Sequence, residues 1–188
     1  MAAGREELEV GAGRISVERA DVTALEVDAV VNAANSQLAG GGGVDGAIHR
    51  AAGRHELQEE LHRRYPGGCP TGSAVITSGQ RMRAAHIVHA VGPRWSAARA
   101  AECDGQLRSA YRSALALAAA EGCATVATPS ISTGIYGFPV ERAAPIALTA
   151  AREALEEAGT PLREVRFALF SDSDLEVFAA ALATTAPR

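Results

Sequence analysis

Apolar and polar residues alternate through Leu8 to Val10 and again through Arg14 to Glu18, which predicts two short strands around Gly11 and Gly13. Residues 1–7, small and polar, read as a loose end, as does the tail 183–188. The unbroken apolar run Ala29, Val30, Val31 predicts a strand covered on both faces. It leads through Asn32-Ala33-Ala34-Asn35 into the consecutive glycines Gly40 to Gly43, and a helix is expected from Val44 or Asp45 up to Gly53. Strand, glycine loop and helix in that order make an anion site, because glycine lets the backbone approach a ligand and the first helical turn offers unpaired N–H groups.

His55 to Arg64 has helical periodicity, with Glu59 and Arg63 spaced to pair and its charges expected on a solvated face. Pro66-Gly67-Gly68 ends it, and Gly72 to Ser78 and His86 to Val91 predict two strands, the second stopped by Gly92-Pro93. A long alanine-rich helix over Ala100 to Glu121, apolar at Leu107, Tyr111, Leu115 and Leu117, closes at Gly122. The buried strand Ala124 to Thr128 then enters a second loop, Pro129 to Phe138, before a helix that opens at Pro139 and runs to about Ala158. Val165 to Phe170 predicts the last strand and Asp174 to Leu182 the last helix. Strands alternating with helices predict an α/β fold whose largely parallel sheet is covered on both faces, with ligands beyond the carboxyl ends of its strands.

With 188 residues, 47% of them hydrophobic, the chain is expected to form a single domain over 1–188. A formal charge of -4 and only 4% aromatic residues supply neither a basic track nor stacking platforms, which argues against nucleic acid as a partner. Cys69, Cys103 and Cys123 are widely separated and read as reduced thiols. Since neither a leader nor a long apolar span is evident, a cytoplasmic protein with no membrane association is expected, as a monomer. Histidines and cysteines lack metal-ligand spacing, so neither metal nor cofactor is expected.

The two glycine loops stand in matched contexts and can grip a diphosphate from two sides. Gly40 to Gly43 lacks the Lys-Ser/Thr of a phosphate loop, and no G-x-G-x-x-G opens the first strand-helix unit, so kinase, GTPase and dehydrogenase readings fall away. Asp21 reads either as the cap of a short turn, Val22 to Leu25, or as a ligand acceptor. Asp45 reads either as a helix cap or as a chemical group, and His49, four residues on, shares its helix face.

Val30-Val31-Asn32-Ala33-Ala34-Asn35, the stretch Gly40 to His49, Val91-Gly92-Pro93 and the stretch Ser132 to Pro139 together resemble the macrodomain family, in particular its MacroD-type ADP-ribosylhydrolases. The resemblance spans roughly Gly13 to Leu182, with the motifs in family order. It implies a three-layer α/β/α fold with a mixed, largely parallel central sheet. It also implies that ADP-ribose, O-acetyl-ADP-ribose and mono-ADP-ribosylated proteins are the partners, with hydrolysis of mono-ADP-ribose from Asp or Glu side chains and deacetylation of O-acetyl-ADP-ribose.

Carried over by motif, Asp21 would accept the adenine amino group beside the Val22 backbone, and Phe170 would stack on the adenine. Gly42, Gly43 and Val44 would hold the diphosphate together with Ser132, Thr133, Gly134, Ile135 and Tyr136. Asn32 and Asn35 would orient the distal ribose. Asp45, with Asn35 and His49, would form the catalytic set, Asp45 activating a water. The family usually has glycine before the aspartate where this chain has Ala20. Tyr136 and Phe138 read equally as plugs that fasten their loop, Phe170 as core, and His49 as a histidine packed between helix and sheet. The alternative to a hydrolase is a module that binds ADP-ribose without cutting it.

Overall fold

The computed structural model describes residues 4–185. Strands β1 (Glu6–Val10) and β2 (Gly13–Arg19) form an antiparallel hairpin, as their two-residue connection requires. There follow β3 (Ala29–Ala33), helices α1 (Gly43–Ala52) and α2 (Arg54–Arg64), and strands β4 (Ala74–Ser78) and β5 (His86–Ala90). Helix α3 (Ala100–Ala120), β6 (Thr125–Thr128), α4 (Val140–Glu156), β7 (Glu164–Leu169) and α5 (Asp172–Thr185) complete the order.

The seven strands form one sheet in the order β1-β2-β7-β6-β3-β5-β4. Its inner strands, β2, β7, β6, β3 and β5, are parallel, because helices or longer connections return the chain between them. Both edge strands are antiparallel, and β4 turns into β5 through residues 79–85, too short a link for a crossover. The sheet is therefore mixed, and every inner strand ends at the same rim.

Helices α3, α4 and α5 cover one face and α1 and α2 the other, giving three layers. Strand β3 shows how the sequence builds this: Ala29 and Val31 enter the core under α3 and α4, while Val30 enters the core with Ile48, Leu57, Leu61 and Ile87 under α1 and α2. The two-residue period puts Asn32 on the Val30 side, facing α1. No helix among the described residues is long and apolar enough to cross a membrane.

Several boundaries differ from the sequence expectation. Glu6 and Glu7 of the expected loose end pair in β1 with Val17 and Ser16, and α5 continues through residues 183–185. The rest of those ends, 1–3 and 186–188, lies outside the described residues. Helix α1 starts at Gly43, whose φ of +56° is accessible because it lacks a side chain, and α4 ends at Glu156, short of Ala158.

The charges of α2 do not all face solvent. Glu59 pairs with His55 rather than with Arg63, and Glu60 is buried. The Glu60 carboxylate accepts from Ser78 N at 3.1 Å, Ser78 Oγ at 2.7 Å, Gln80 Nε2 at 2.7 Å and Arg64 Nη1 at 2.9 Å, clamping α2 to β4. Burial alone would push its pKa up, but these donors outweigh it and hold the group at about 2, below the ordinary 4.5. A depressed folded-state pKa gives stability that is present above pH 4.5 and lost as pH falls toward 2. Urea titrations are expected to show Glu60 contributing a loss on the order of 2 kcal/mol between neutral pH and pH 3. Glu60→Gln should remove that part of the acid sensitivity, and an unchanged pH dependence would show that the clamp plays no such part.

Candidate functional site

The carboxyl ends of the inner strands meet along one rim. From the β2 side come Asp21 and Val22, then Phe170 after β7, the loop 129–138 after β6, the glycine run after β3, and Gly92 to Arg94 after β5. At about 4.8 Å per strand, β2 to β5 spans roughly 19 Å, room for an extended dinucleotide-sized ligand. A cleft of about 410 Å³ opens over the β6, β3 and β5 end. Asn35, Gly42, Gly43, Val44, Asp45, Ser132, Gly134, Ile135 and Tyr136 line it.

Two of the loops that line it carry N–H groups without protein acceptors among the described residues. In the second loop, Ile131 N donates to Tyr111 Oη, Gly137 N to Gly134 O, and Phe138 N to Ser132 O. Between them, among the described residues, none of the N–H groups of residues 132–136 has an acceptor. The first loop matches it: Ala39 N donates to Asn35 Oδ1 and Gly46 N to Gly42 O, while the N–H groups of residues 40–45 between them have no acceptor among the described residues. Unpaired amides at a helix start and in a loop attract phosphate oxygens.

Each loop is anchored from beneath. Asn35 Nδ2 donates to Gly40 O at 3.0 Å, so this asparagine spans the first loop with both ends of its amide while also lining the cleft. Tyr111, from α3, accepts from Ile131 N at 2.8 Å and donates to Pro129 O at 3.1 Å, fastening the base of the second loop. Its burial pushes the phenol pKa up, so it stays a protonated donor. Phe138 is a buried plug against Trp95, with ring centroids 4.7 Å apart, whereas Tyr136 lines the cleft with the Arg94 guanidinium 4.4 Å above its ring. Ser132 takes a left-handed φ of +68°, uncommon for a residue with a side chain, and its buried Oγ has no partner.

Asp45 occupies the first turn of α1 and is 6% exposed. Its Oδ1 accepts from Asn32 Nδ2 at 2.8 Å and lies 2.9 Å from His49 Nδ1. Among the described residues its Oδ2 takes no hydrogen bond, and it is not among the buried orphan atoms, leaving it available at the cleft. His49 Nδ1 also lies 2.9 Å from the Asp45 carbonyl, and Gln58 Nε2, which donates to Leu38 O, meets the other ring nitrogen at 2.7 Å. Burial lowers the His49 pKa, but the bonds to Asp45 outweigh it and the net direction is up.

Other sequence-selected residues stand apart from the cleft. Asn32 does not reach it: the side chain is fully buried, and its amide is directed at Asp45 and His89 rather than at a ligand. Thr133 turns its hydroxyl to Ser130. Asp21 caps the turn Val22–Ala24, Oδ1 accepting from Thr23 N at 2.9 Å and Thr23 Oγ1 at 2.7 Å, with Oδ2 unengaged and exposed. Phe170 is 88% exposed and therefore not core, a large aromatic face standing in solvent at the rim.

Sequence reasoning missed Gly92 and Arg94 as site residues, although both follow a strand that ends at the ligand rim. A Cβ on Gly92 would stand 2.2 Å from Ser132 Oγ and 2.6 Å from Ile131 Cγ2, so the second loop rests directly on this glycine.

Fold and site together define an α/β protein with two loops of unpaired N–H groups and a carboxylate along one rim of its sheet. The family model described as Macro domain matches residues 31–147, and the chain belongs to the macro domain family. A macro domain-containing protein of Chlorobaculum tepidum is 54% identical over 166 residues, covering 88% of this chain and 93% of its own. A relative from Pantoea vagans named O-acetyl-ADP-ribose deacetylase 1 is 47% identical over 166 residues, covering 88% of this chain and 96% of its own. Among solved structures, a variant of the Oceanobacillus iheyensis macrodomain with ADPR superposes with a TM-score of 0.89 at 34% identity, covering 97% of this chain and 98% of the other. The three-layer α/β/α macrodomain fold with a mixed, largely parallel sheet is thus the fold of this chain.

Proposed function

We propose that this chain is an ADP-ribose-binding hydrolase that releases mono-ADP-ribose from acidic side chains and removes acetate from O-acetyl-ADP-ribose. The observation that carries this reading is Asp45: a carboxylate steadied on one oxygen by Asn32 and His49, with the other oxygen free beside two cradles of unpaired N–H groups. At roughly 6 Å and an effective dielectric near 20, such a carboxylate repels a phosphate charge by about 2 to 3 kcal/mol. A site serving affinity alone has no use for that repulsion.

A hydrolase does. Asp45 Oδ2 takes a proton from a water, the oxygen of that water bonds to the ester carbonyl or the anomeric carbon, and the ester C–O bond breaks with its electron pair on the departing oxygen; Asp45 then returns the proton to a departing ribose oxygen, or to solvent when the departing group is the carboxylate. The products are ADP-ribose and a free carboxylate. Along the rim, the diphosphate lies on residues 42–44 and 132–136, the distal ribose toward Asn35 and Asp45, and the adenine toward Asp21 and Phe170. The ligand of the Oceanobacillus iheyensis variant and the name of the Pantoea vagans relative support the ligand and the ester chemistry respectively.

The test is incubation of an ADP-ribosylated glutamate peptide, and separately of O-acetyl-ADP-ribose, with the wild type in chelator-containing buffer. Release of ADP-ribose is expected. Binding without turnover would favour the non-cutting module, and activity that needs added magnesium or zinc would overturn the mechanism. Phe170→Ala is expected to weaken ADP-ribose binding about tenfold, from a stacking contribution of about 1–3 kcal/mol per base. Because the ring is exposed, thermal stability should not change, and undiminished affinity by calorimetry would remove Phe170 from the adenine site.

A further inference from the structure

Behind Asp45, a chain of hydrogen bonds runs from Asn32 across neighbouring strands to His89 and Thr77, two side chains with no part in the chemistry described above. Asn32 Nδ2 donates to Asp45 Oδ1 at 2.8 Å and lies 3.2 Å from His89 Nδ1; His89 Nε2 lies 3.0 Å from Thr77 Oγ1. Asn32 and His89 are register partners on β3 and β5, and the β5-β4 pairing brings Thr77 alongside. Asn32, His89 and Thr77 are 0%, 0% and 1% exposed, so solvent cannot substitute for any link.

Donor and acceptor roles follow from Asp45. An ionised carboxylate only accepts, so the edge of the Asn32 amide facing it is the NH2. Its hydrogens serve Asp45 and His89, which makes His89 Nδ1 an acceptor and puts the ring proton on Nε2, directed at Thr77 Oγ1. Thr77 in turn passes its hydroxyl hydrogen toward Ile87 O at 3.5 Å. Were the Asn32 amide reversed, its oxygen would face both the carboxylate and the acceptor nitrogen of His89. Complete burial holds the imidazole pKa down to about 3, so the ring stays in the neutral form this chain of bonds needs.

We propose that His89, itself oriented by Thr77, is a positioning residue: it fixes the amide of Asn32 and through it the carboxylate of Asp45. The proposal rests on the hydrolase reading. Asn32 holds one oxygen of Asp45 and His89 prevents Asn32 from turning, so the remaining oxygen keeps one position at the cleft. Loss of outer-shell support of this kind, or a small misplacement of the base, lowers turnover by about 10- to 100-fold. It leaves the phosphate cradles in place.

The experiment compares kcat and ADP-ribose affinity for wild type, His89→Phe, His89→Gln and Thr77→Val, with Asp45→Asn as the control for the hydrolase reading. His89→Phe is expected to lose about 10- to 100-fold in kcat while Kd changes less than about threefold. His89→Gln should recover most of the loss, since its amide can accept from Asn32 and donate to Thr77. Thr77→Val, nearly isosteric, gives the readout if the larger change impairs folding, and is expected to lower kcat without changing Kd.

A kcat within about twofold of wild type in both His89→Phe and Thr77→Val would overturn the proposal. So would parallel losses in kcat, affinity and melting temperature, which mark a merely structural role. Should wild type prove inactive, or Asp45→Asn fully active, the hydrolase reading fails and the positioning proposal falls with it. The hydrogen-bond assignment has its own readout: ring 15N shifts of His89 in the resting protein are expected to report a neutral imidazole protonated at Nε2 from about pH 5 to 8. A proton on Nδ1, or titration in that range, would overturn the proposal whatever the kinetics show.

Discussion

Asp45→Asn is expected to abolish hydrolysis while leaving ADP-ribose bound at least as tightly as in the wild type. The substitution separates charge from architecture. The introduced amide can keep an oxygen where Oδ1 meets Asn32 and His49, while its uncharged nitrogen replaces Oδ2 at the cleft. What disappears is the proton acceptor, and removal of a general base lowers kcat by about 10²- to 10⁴-fold. What also disappears is the repulsion of the diphosphate, so affinity should hold or rise. Single-turnover release of ADP-ribose and calorimetric binding measure the two effects separately. Turnover within a few-fold of wild type would remove Asp45 from the mechanism; loss of binding together with turnover would make it a ligand anchor instead.

The second large effect is expected at Gly92, which no ligand atom need touch. Gly92→Ala puts a methyl group where Ser132 Oγ and Ile131 Cγ2 now lie, at 2.2 and 2.6 Å. Both atoms belong to side chains, but Ile131 and Ser132 are buried, Ser132 holds a left-handed backbone and the Ile131 backbone is tied to Tyr111, so the crowding is expected to reach the loop whose free N–H groups form the second cradle. Overpacking of this kind costs about 1–3 kcal/mol. If it is expressed in the loop, ADP-ribose affinity falls about tenfold or more. Calorimetry with Gly92→Ala checks this, and wild-type affinity together with an unchanged melting temperature would show that the added methyl is absorbed without disturbing the loop, overturning this prediction.

Much of the architecture is legible in the chain itself. The apolar run Ala29 to Val31, the glycines Gly40 to Gly43 and the helix after them fix a strand, a close-approach loop and a dipole in sequence order, all local properties. The antiparallel edges are not legible from periodicity, which is the same for strands of either direction; the short connections at Gly11 and at 79–85 decide them. Asn32 reads as a ribose contact because it ends a strand just before a glycine loop. The two-residue period placing it with Val30 toward α1 is present in the sequence, but the acceptor waiting there, Asp45, comes from a helix whose rotation only packing sets. Glu60 reads as solvated for a related reason: its partners Ser78 and Gln80 lie on and beyond β4, distant in sequence. His89 gives no motif at all, since a histidine in a buried strand acquires meaning only from its cross-strand neighbours.

Tyr111 gives the molecule a property that neither loop has alone. The acid is seated from the α1 and α2 layer, whereas the second cradle is tied to α3 on the opposite layer. The carboxylate and the first cradle are therefore fastened to one side of the sheet and the second cradle to the other, and the distance between the cradles is set by its thickness. Softening of α3 should loosen the second cradle first, while the carboxylate and the first cradle stay seated on α1.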